Sequence, residues 1–314
     1  MLLLDILIFI AGIAIILKSA DLFTSGAEGL AKAFSIPRII IGLTIVSLAT
    51  TAPEFTVSSI ASYIGVGGMA IGNALGSCLA NIALVLAIAV IIRPIKFEPR
   101  ILKRELPFLI IVIIFLYLLM LDGSLSFFDG MFLALSLVAF FTYVVFREVK
   151  GRKKLKKEKV SRHNLPKAIL QFFIGAIGVI LSAKFIIVPK GISIAHLLGV
   201  PEVVIGLTMV AVGTSLPELF TALMASFKNM GELAVGNIIG ANILNILWVL
   251  GGASLIKPLQ IDIQTKNITM PVVFFITILL FLFSRKRSEL TRNKGLALLA
   301  VYAGYLFYIF KFAY

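Results

Sequence analysis

The fold is decided by the segments IGLTIVSLATTAPE (residues 41–54) and GNALGSCLAN (residues 72–81), which are polar stretches inside otherwise apolar sequence. Both segments occur a second time, as IGLTMVAVGTSLPE (205–218) and GNIIGANILN (236–245), at a constant offset of 164 residues. Over this region the two copies align without a gap, and about two residues in five are identical. Such internal duplication is typical of membrane transporters that are built from two related halves.

The composition indicates a membrane protein that crosses the bilayer several times. Of the 314 residues, 60% are hydrophobic and only 14% are charged, with long uncharged runs of Leu, Ile, Val and Phe. The net charge of +14 does not indicate nucleic-acid binding, because the basic residues cluster in short segments between apolar spans. The single cysteine, Cys78, excludes an intrachain disulfide and a cysteine-based metal cluster.

The apolar windows predict an all-α polytopic fold with ten transmembrane helices. The first window lacks a basic leader and a cleavage site, so we interpret it as a retained membrane helix and not as a signal peptide. The predicted spans are 2–24, 38–62, 69–92, 106–121, 126–146, 167–188, 201–226, 233–256, 268–284 and 295–312.

The distribution of Lys and Arg predicts the orientation of these spans. The loops after the odd-numbered spans carry most of the basic residues, including the block 147–167, so the positive-inside rule places them in the cytoplasm and both termini outside. The domains are then a first repeat (1–146), a basic cytoplasmic linker (147–166) and a second repeat (167–314). Because each repeat has five spans, the second enters the membrane inverted, and the matching motifs meet near the midplane.

Glu54 and Glu218 lie deep in spans 2 and 7, each directly after a proline. A carboxylate in hydrocarbon costs about 2.5 to 3.5 kcal/mol or more, so it is expected where it faces a cavity, a cation or a partner. A proline leaves the carbonyl four residues earlier without its helical donor, so we expect discontinuous helices with free carbonyl oxygens. Hard oxygen ligands of this kind suit Ca2+ and Na+.

Four asparagines in spans 3 and 8 accompany closely spaced glycines: Asn73, Asn81, Asn237 and Asn245. The amide oxygens of Asn81 and Asn245 are candidates to complete a cation shell, whereas interhelical hydrogen bonding is the alternative, favoured for the other two. Ser77 is a further candidate, and its counterpart is Ala241. In span 1, Lys18 and Asp21 have the spacing of a local ion pair.

With both pairs of motifs in view, the sequence resembles the calcium/cation antiporter superfamily, and in particular its prokaryotic sodium/calcium exchangers. The resemblance covers essentially the whole chain. It implies a core of spans 2, 3, 7 and 8 and a sliding gate formed by spans 1 and 6. It also implies that Ca2+ and Na+ compete for the two glutamates, and that the remaining ligands are Thr50, Thr51, Ser77, Asn81, Thr214, Ser215 and Asn245, with the carbonyls of Ser47 and Ala211.

Two positions depart from the family pattern. Some archaeal relatives and the potassium-dependent branch have Asp where this chain has Asn245, so the site here carries one carboxylate fewer and potassium dependence is not expected. Many relatives have Ser where this chain has Ala241, which weakens one of the expected Na+ sites. Proton-coupled members typically carry Gly-Asn-x-x-Glu in place of Thr-Ser-x-Pro-Glu, so Na+ is favoured over H+ as the counter-ion.

The sequence therefore predicts a secondary antiporter of the cell membrane that extrudes Ca2+ in exchange for Na+ by alternating access. An H+/Ca2+ exchanger is the nearest alternative, and a passive cation channel is a more distant one. An intramembrane enzyme is disfavoured, because the spans contain no zinc-protease, Gly-x-Gly-Asp or Ser-His pattern. We expect no cofactor beyond the transported ions, no nucleic-acid partner, contact with the lipid bilayer and a monomeric state.

Overall fold

A computed structural model of the protein describes residues 2–152, 164–198, 213–285 and 288–312. Within these ranges, eight helical segments are long and apolar enough to cross a membrane. They are Leu2–Phe34, Arg38–Tyr63, Gly67–Ile92, Ile101–Asp122, Phe127–Arg147, Leu165–Ile194, Gly231–Ile256 and Thr265–Arg285. The multi-pass membrane architecture predicted from composition is thus confirmed.

The seventh and tenth predicted spans do not belong to this set of eight. Only the end of the seventh is described, as the short apolar helix Leu216–Phe227, because residues 201–212 lie outside the described ranges. The tenth is helical over Arg292–Phe312.

Most of the membrane segments combine α-helix with a single π-helical turn. The α-helices are α1 (Leu2–Phe34), α2 (Arg38–Ile41), α3 (Ser47–Tyr63), α4 (Gly67–Ala80), α5 (Ala87–Ile92), α6 (Leu106–Leu119), α7 (Phe127–Arg152), α8 (Leu165–Ser182), α9 (Val188–Leu197), α10 (Leu216–Phe227), α11 (Gly231–Leu244), α12 (Gly251–Ile256), α13 (Met270–Arg285) and α14 (Arg292–Phe312). The π turns are Gly42–Val46, Asn81–Leu86, Ile101–Glu105, Ala183–Ile187, Asn245–Leu250 and Thr265–Thr269, and Met120–Asp122 is a 3-10 turn.

The elements recur at the same offset as the sequence motifs. Helix α4 and its π turn at Asn81–Leu86 correspond residue for residue to α11 and the turn at Asn245–Leu250. The turns Ile101–Glu105 and Thr265–Thr269 correspond in the same way. Because π turns are rare and single, their recurrence at matching positions means that the two copies share a backbone path as well as a sequence.

Helix α3 continues through Pro53, so the predicted break at this proline is wrong. A proline removes one hydrogen bond, and a helix absorbs that loss when both sides are packed. The irregularity of this span lies earlier, in the π turn Gly42–Val46. Spans 3 and 8 are likewise continuous, with π turns in place of breaks. In the seventh span, Ser215 interrupts the helix just before α10 begins.

Helix α1 extends ten residues beyond its predicted end at residue 24. Its last turns keep one side buried, through Ala27, Leu30 and Ala31. The helix ends at Phe34; the next residue, Ser35, has a positive φ of 50°, and Ile36 N donates to Ala31 O at 2.8 Å. The apolar window ended early because charged residues on the exposed side interrupt the hydropathy but not the helix.

Two short antiparallel ribbons join the first copy to the second. Strand β1 (Ile95–Lys96) pairs with β4 (Glu289–Leu290), and β2 (Ser124–Leu125) pairs with β3 (Leu259–Gln260). Strand β1 follows the third span and β4 follows the ninth, whereas β2 follows the fourth and β3 the eighth. Each ribbon therefore connects loops that the charge pattern assigns to the same face of the membrane.

Helices α1 and α8 pack tightly along most of their length. The rings of Phe23 and Phe172 contact at 4.8 Å between centroids. At Gly26 an added Cβ would collide with the backbone of Phe172, and at Gly175 it would collide with the backbone of Phe23. Glycine at both positions therefore allows the two backbones to approach closely, as small residues do in membrane helix pairs. Spans 1 and 6 form one packed unit.

Candidate cation-binding site

Helices α3, α4, α10 and α11 bring the polar motifs of both copies together in the interior of the protein. Nine of the eleven predicted site residues are buried, with exposed fractions of 2% or less. They are Ser47, Thr50, Thr51, Glu54, Ser77, Asn81, Ser215, Glu218 and Asn245. Thr214 is partly buried, and Ala211 lies outside the described residues.

The two carboxylates occupy different local positions. Glu54 follows Pro53 in the middle of α3, whereas Glu218 lies in the first turn of α10. Both are completely buried, so each carboxylate needs a positive partner when it is charged.

The hydroxyl of Ser77 connects the copies at the centre of the site. It donates to Glu54 Oε1 at 3.5 Å, accepts from Ser215 Oγ at 3.3 Å and lies 3.5 Å from Thr214 Oγ1. These long, weak contacts bring one residue of the first copy against two of the second. The prediction that Ser77, Thr214 and Ser215 converge is therefore matched by their positions, while their role as ligands remains a prediction.

Two equivalent hydrogen bonds cross between the copies. Thr50 Oγ1 donates to Asn237 Oδ1 at 3.2 Å, and its counterpart Thr214 Oγ1 donates to Asn73 Oδ1, also at 3.2 Å. Asn73 additionally donates to the backbone oxygen of Glu54 at 3.2 Å. Asn73 and Asn237 thus form interhelical hydrogen bonds, the alternative favoured for them from the sequence.

Several oxygen atoms in this interior have no hydrogen-bond donor among the described residues. They are Thr51 Oγ1, Glu54 Oε2, both carboxylate oxygens of Glu218, Asn81 Oδ1 and Asn245 Oδ1. Buried acceptors are almost always paired, and an unpaired one costs about 1 to 3 kcal/mol, more when it is charged. A set of unpaired carboxylate and amide oxygens fits a bound hard cation, which supplies the missing positive charge.

The donor set also bears on which cation fits. Among the described residues, no group of three or more His, Cys, Asp or Glu side chains has the arrangement of a metal centre. The candidate site instead has two carboxylates with neutral amide and hydroxyl oxygens. This composition suits Na+ and Ca2+ better than Zn2+ or Cu+, which prefer nitrogen and sulfur.

Sequence reasoning missed Asn242, which lies one turn before Asn245. Its Nδ2 donates to the backbone oxygen of Cys78 at 3.1 Å, and its Oδ1 accepts from Asn81 Nδ2 at 3.0 Å. It is 1% exposed. The available signal was an asparagine in an apolar span, but its counterpart in the first copy is Cys78, so comparing the copies did not reveal a shared polar position.

A cavity of about 390 Å³ reaches the site from one side. It runs between span 6, at Ile180 and Val188, and the residues next to the carboxylates, Pro53, Thr214 and Pro217. Its wall is mostly apolar, with Lys184 on the span 6 side.

At the far end of α1, two ion pairs connect this helix to neighbouring spans. Lys228 Nζ lies 2.6 Å from Asp21 Oδ1, and Arg38 Nη2 lies 2.5 Å from Glu28 Oε1. Asp21 therefore pairs with Lys228, and the expected local pair with Lys18 is wrong. Near the N-terminus, Asp5 instead pairs with Lys190 of α9 at 2.6 Å, within the unit formed by spans 1 and 6.

Comparisons with known proteins point to one family. The family profile described as sodium/calcium exchanger protein matches residues 4–147 and 167–311. An uncharacterized membrane protein of Methanocaldococcus jannaschii is 36% identical, covering 96% of this chain and 97% of its own. Sodium/calcium exchanger MaX1 of Methanosarcina acetivorans is 29% identical, covering 98% of both chains. The solved structure of the sodium-calcium exchanger NCX_Mj, soaked with Na+ and Ca2+, superposes with a TM-score of 0.84 at 32% identity, covering 99% of both chains.

Proposed function

The chain belongs to the sodium/calcium exchanger protein family, and from this premise we propose that Glu54 and Glu218 form one central site that Ca2+ and Na+ occupy in turn. The protein is a multi-pass membrane antiporter of the Na+/Ca2+ exchanger type and not an enzyme. In our proposal it extrudes Ca2+, driven by Na+ that runs down its gradient. The other ligands are the nine residues named from the resemblance, with Ala211 proposed from the sequence alone.

The observation that carries this proposal is the set of unpaired oxygens at the centre of the fold. Within the part of the chain that the structure describes, Glu218 has two carboxylate oxygens without a donor and Glu54 has one, and the amide oxygens of Asn81 and Asn245 lack donors as well. Two buried charges without a counter-ion are costly in a low-dielectric interior, by several kcal/mol per ion. One Ca2+ or several Na+ removes this cost.

The same cost explains how exchange is coupled. An empty site that keeps two unneutralised carboxylates resists closure, whereas a loaded site closes readily, so the switch between the two membrane faces requires a cation. Return without a cation is therefore slow, and each Ca2+ that leaves is replaced by Na+. The transported ions themselves fill the site, and no resident cofactor takes part.

We further propose ten transmembrane helices in two inverted repeats of five, 1–146 and 167–314, joined by the basic segment 147–166. The matching element boundaries of the two copies support this arrangement. The two ribbons support it as well, because an inverted repeat carries equivalent ribbons to opposite faces. Because one protein chain contributes both carboxylates, a single molecule contains a complete site. We therefore propose a monomer in the lipid bilayer.

In our proposal both termini lie outside the cell and the segment 147–167 lies in the cytoplasm. The ion pairs Lys228–Asp21 and Arg38–Glu28 then hold α1 against its neighbours on the cytoplasmic face. The cavity beside Val188 opens toward the outer face, because α9 forms the end of the sixth span that the charge pattern places outside. The arrangement corresponds to an outward-facing transporter, and alternating access requires these ion pairs to break when spans 1 and 6 slide.

Tracer Ca2+ uptake into proteoliposomes tests the proposed function. Vesicles loaded with Na+ are compared with vesicles loaded with K+ or choline at equal pH, and with vesicles that carry only a pH gradient. We expect uptake only with internal Na+. Uptake driven by the pH gradient and indifferent to Na+ would instead place the protein among proton-coupled exchangers, and uptake without any counter-ion would indicate a channel.

A further inference from the structure

Cys78 and Asn242 occupy equivalent positions in the two copies and contact each other where α4 crosses α11. Asn242 Nδ2 donates to the backbone oxygen of Cys78 at 3.1 Å, and Cys78 Sγ donates to the backbone oxygen of Asn242 at 3.7 Å. Both side chains are buried, at 1% exposure. The pseudo-two-fold axis that relates the copies therefore passes between these two residues.

One member of this crossing pair also contacts the candidate ligand that follows in the opposite copy. Asn81 Nδ2 donates to Asn242 Oδ1 at 3.0 Å. The counterpart of Asn242 in the first copy is Cys78, which carries a thiol in place of an amide. In both copies the candidate ligand, Asn81 or Asn245, has an Oδ1 atom with no donor among the described residues.

The hydrogen bonds determine which end of each amide faces the cation. A backbone carbonyl only accepts, so Asn242 must present Nδ2 to Cys78 and Oδ1 to Asn81. Asn81 must then present Nδ2 to Asn242, which directs its Oδ1 toward the site. Without this partner an amide flips at little cost, because its two ends have nearly the same shape, and the flipped amide turns N–H groups toward a cation.

We propose that Asn242 is a positioning residue that orients the amide of Asn81 for cation binding; the proposal rests on the function proposed above. In the other copy the equivalent position holds the thiol of Cys78. An amide oxygen is a good acceptor and a thiol sulfur is a weak one. Asn81 is therefore held in its binding orientation, whereas Asn245 is held loosely.

The test exchanges the residues that the two copies already use. In Asn242→Cys, the position that orients Asn81 carries a thiol, as the equivalent position Cys78 does in the other copy, and we expect Ca2+ binding to weaken about 2- to 10-fold, the range for losing one hydrogen bond. Cys78→Ser replaces the thiol by a hydroxyl, a better acceptor of similar size, and we expect binding to be unchanged or up to about 3-fold tighter. Equilibrium binding of tracer Ca2+ to the detergent-solubilised protein measures both variants.

The Asn81→Asp background separates orientation from packing. A carboxylate has two equivalent oxygens and needs no orienting partner, and Asn242 Oδ1 repels it. Asn242→Cys should therefore leave Ca2+ affinity unchanged or increase it in Asn81→Asp, although it weakens affinity in the native background. A role in helix packing predicts the same loss in both backgrounds, and that result would overturn the proposal.

Two controls keep this outcome distinct from failure of the proposed function. The unfolding temperature without Ca2+ or Na+ reports any packing defect of Asn242→Cys. If this variant does not fold, Cys78→Ser supplies the equivalent test. Its Ca2+ affinity is measured with the native Asn245 and with Asn245→Asp, and any gain in affinity is expected only with the native Asn245. Retained Ca2+ binding in Glu54→Gln would refute the proposed site. If Glu54→Gln abolishes Ca2+ binding but Asn242→Cys weakens it equally with native Asn81 and with Asn81→Asp, only the positioning role is refuted.

Discussion

The two copies of the motif share a backbone path but differ in how their polar groups are satisfied. In the first copy, Ser77 donates to Glu54, and Asn73 Nδ2 has two acceptors, the Glu54 carbonyl and Ser58 Oγ. In the second copy, Ala241 replaces the serine, and neither Asn237 Nδ2 nor either Glu218 oxygen has a hydrogen-bond partner among the described residues. The carboxylate of the first copy thus has one partner within the described protein, whereas the carboxylate of the second has none there and depends more on the bound cation.

Neutralising a carboxylate should have the largest effect of any substitution. Glu218→Gln removes the charge whose two oxygens lack donors, and we expect Na+-driven Ca2+ uptake to fall at least about 100-fold, to background. Glu54→Gln should do the same for flux. The comparison of the copies predicts a difference in stability: without ions, Glu218→Gln should raise the unfolding temperature more than Glu54→Gln, because it relieves the less satisfied charge. Equal increases in the unfolding temperature of the two variants would contradict the proposed difference between the copies.

Adding a third carboxylate makes the second copy more dependent on cations. Asn245→Asp places another charge among the unpaired oxygens, and Ca2+ affinity is tuned by the number of charged ligands. We expect Ca2+ to bind about 10-fold more tightly and the maximal exchange rate to fall, because release becomes slower. Titration of Ca2+-dependent uptake measures both quantities. A variant with unchanged Ca2+ dependence would place Asn245 outside the coordination shell.

Exchanging the serine between the copies should have an intermediate effect. Ser77→Ala removes the hydroxyl that contacts Glu54, Thr214 and Ser215, and we expect the Na+ concentration for half-maximal exchange to rise about 3- to 10-fold. Ala241→Ser adds the corresponding hydroxyl to the second copy and should make the Na+ dependence steeper. Measurements of Ca2+ release as a function of external Na+ provide the test. A substitution that leaves this Na+ dependence unchanged would exclude that position from the Na+ sites.

The prolines should give the smallest effect and the clearest contrast. Pro53 lies inside α3, so Pro53→Ala restores a backbone donor for the Ala49 carbonyl and should stabilise the protein by about 1 kcal/mol. Pro217 lies in the first turn of α10, where the backbone donor has no partner within the helix. Pro217→Ala should therefore leave the unfolding temperature unchanged or slightly lower it. Thermal unfolding in detergent, without ions, compares the two.

Much of the fold and the family followed from sequence because the relevant signals are strong and local. Long apolar runs are sufficient to identify membrane spans, and a duplicated motif with a buried glutamate in each copy is specific. The convergence of Ser77 with Thr214 and Ser215 followed from the duplication, since matching motifs of two related halves meet at their common axis.

The details that sequence did not reveal depend on packing between distant segments. The continuity of α3 through Pro53 depends on neighbours that hold both halves of the helix, and no local rule reports them. The extension of α1 to Phe34 depends on a buried side that the hydropathy average hides. Asn242 is informative only beside Cys78 and Asn81, which α4 and the π turn after it bring to it.

The two ribbons have a consequence for how the chain is made. Synthesis proceeds from the N-terminus, so β1 and β2 emerge with the first copy, while β3 emerges after the eighth span and β4 after the ninth. Until then the first copy carries an unpaired strand at each face. The pairing at the two faces is therefore completed in two steps, first at the β2–β3 ribbon and then at the β1–β4 ribbon, both before the last helix is made.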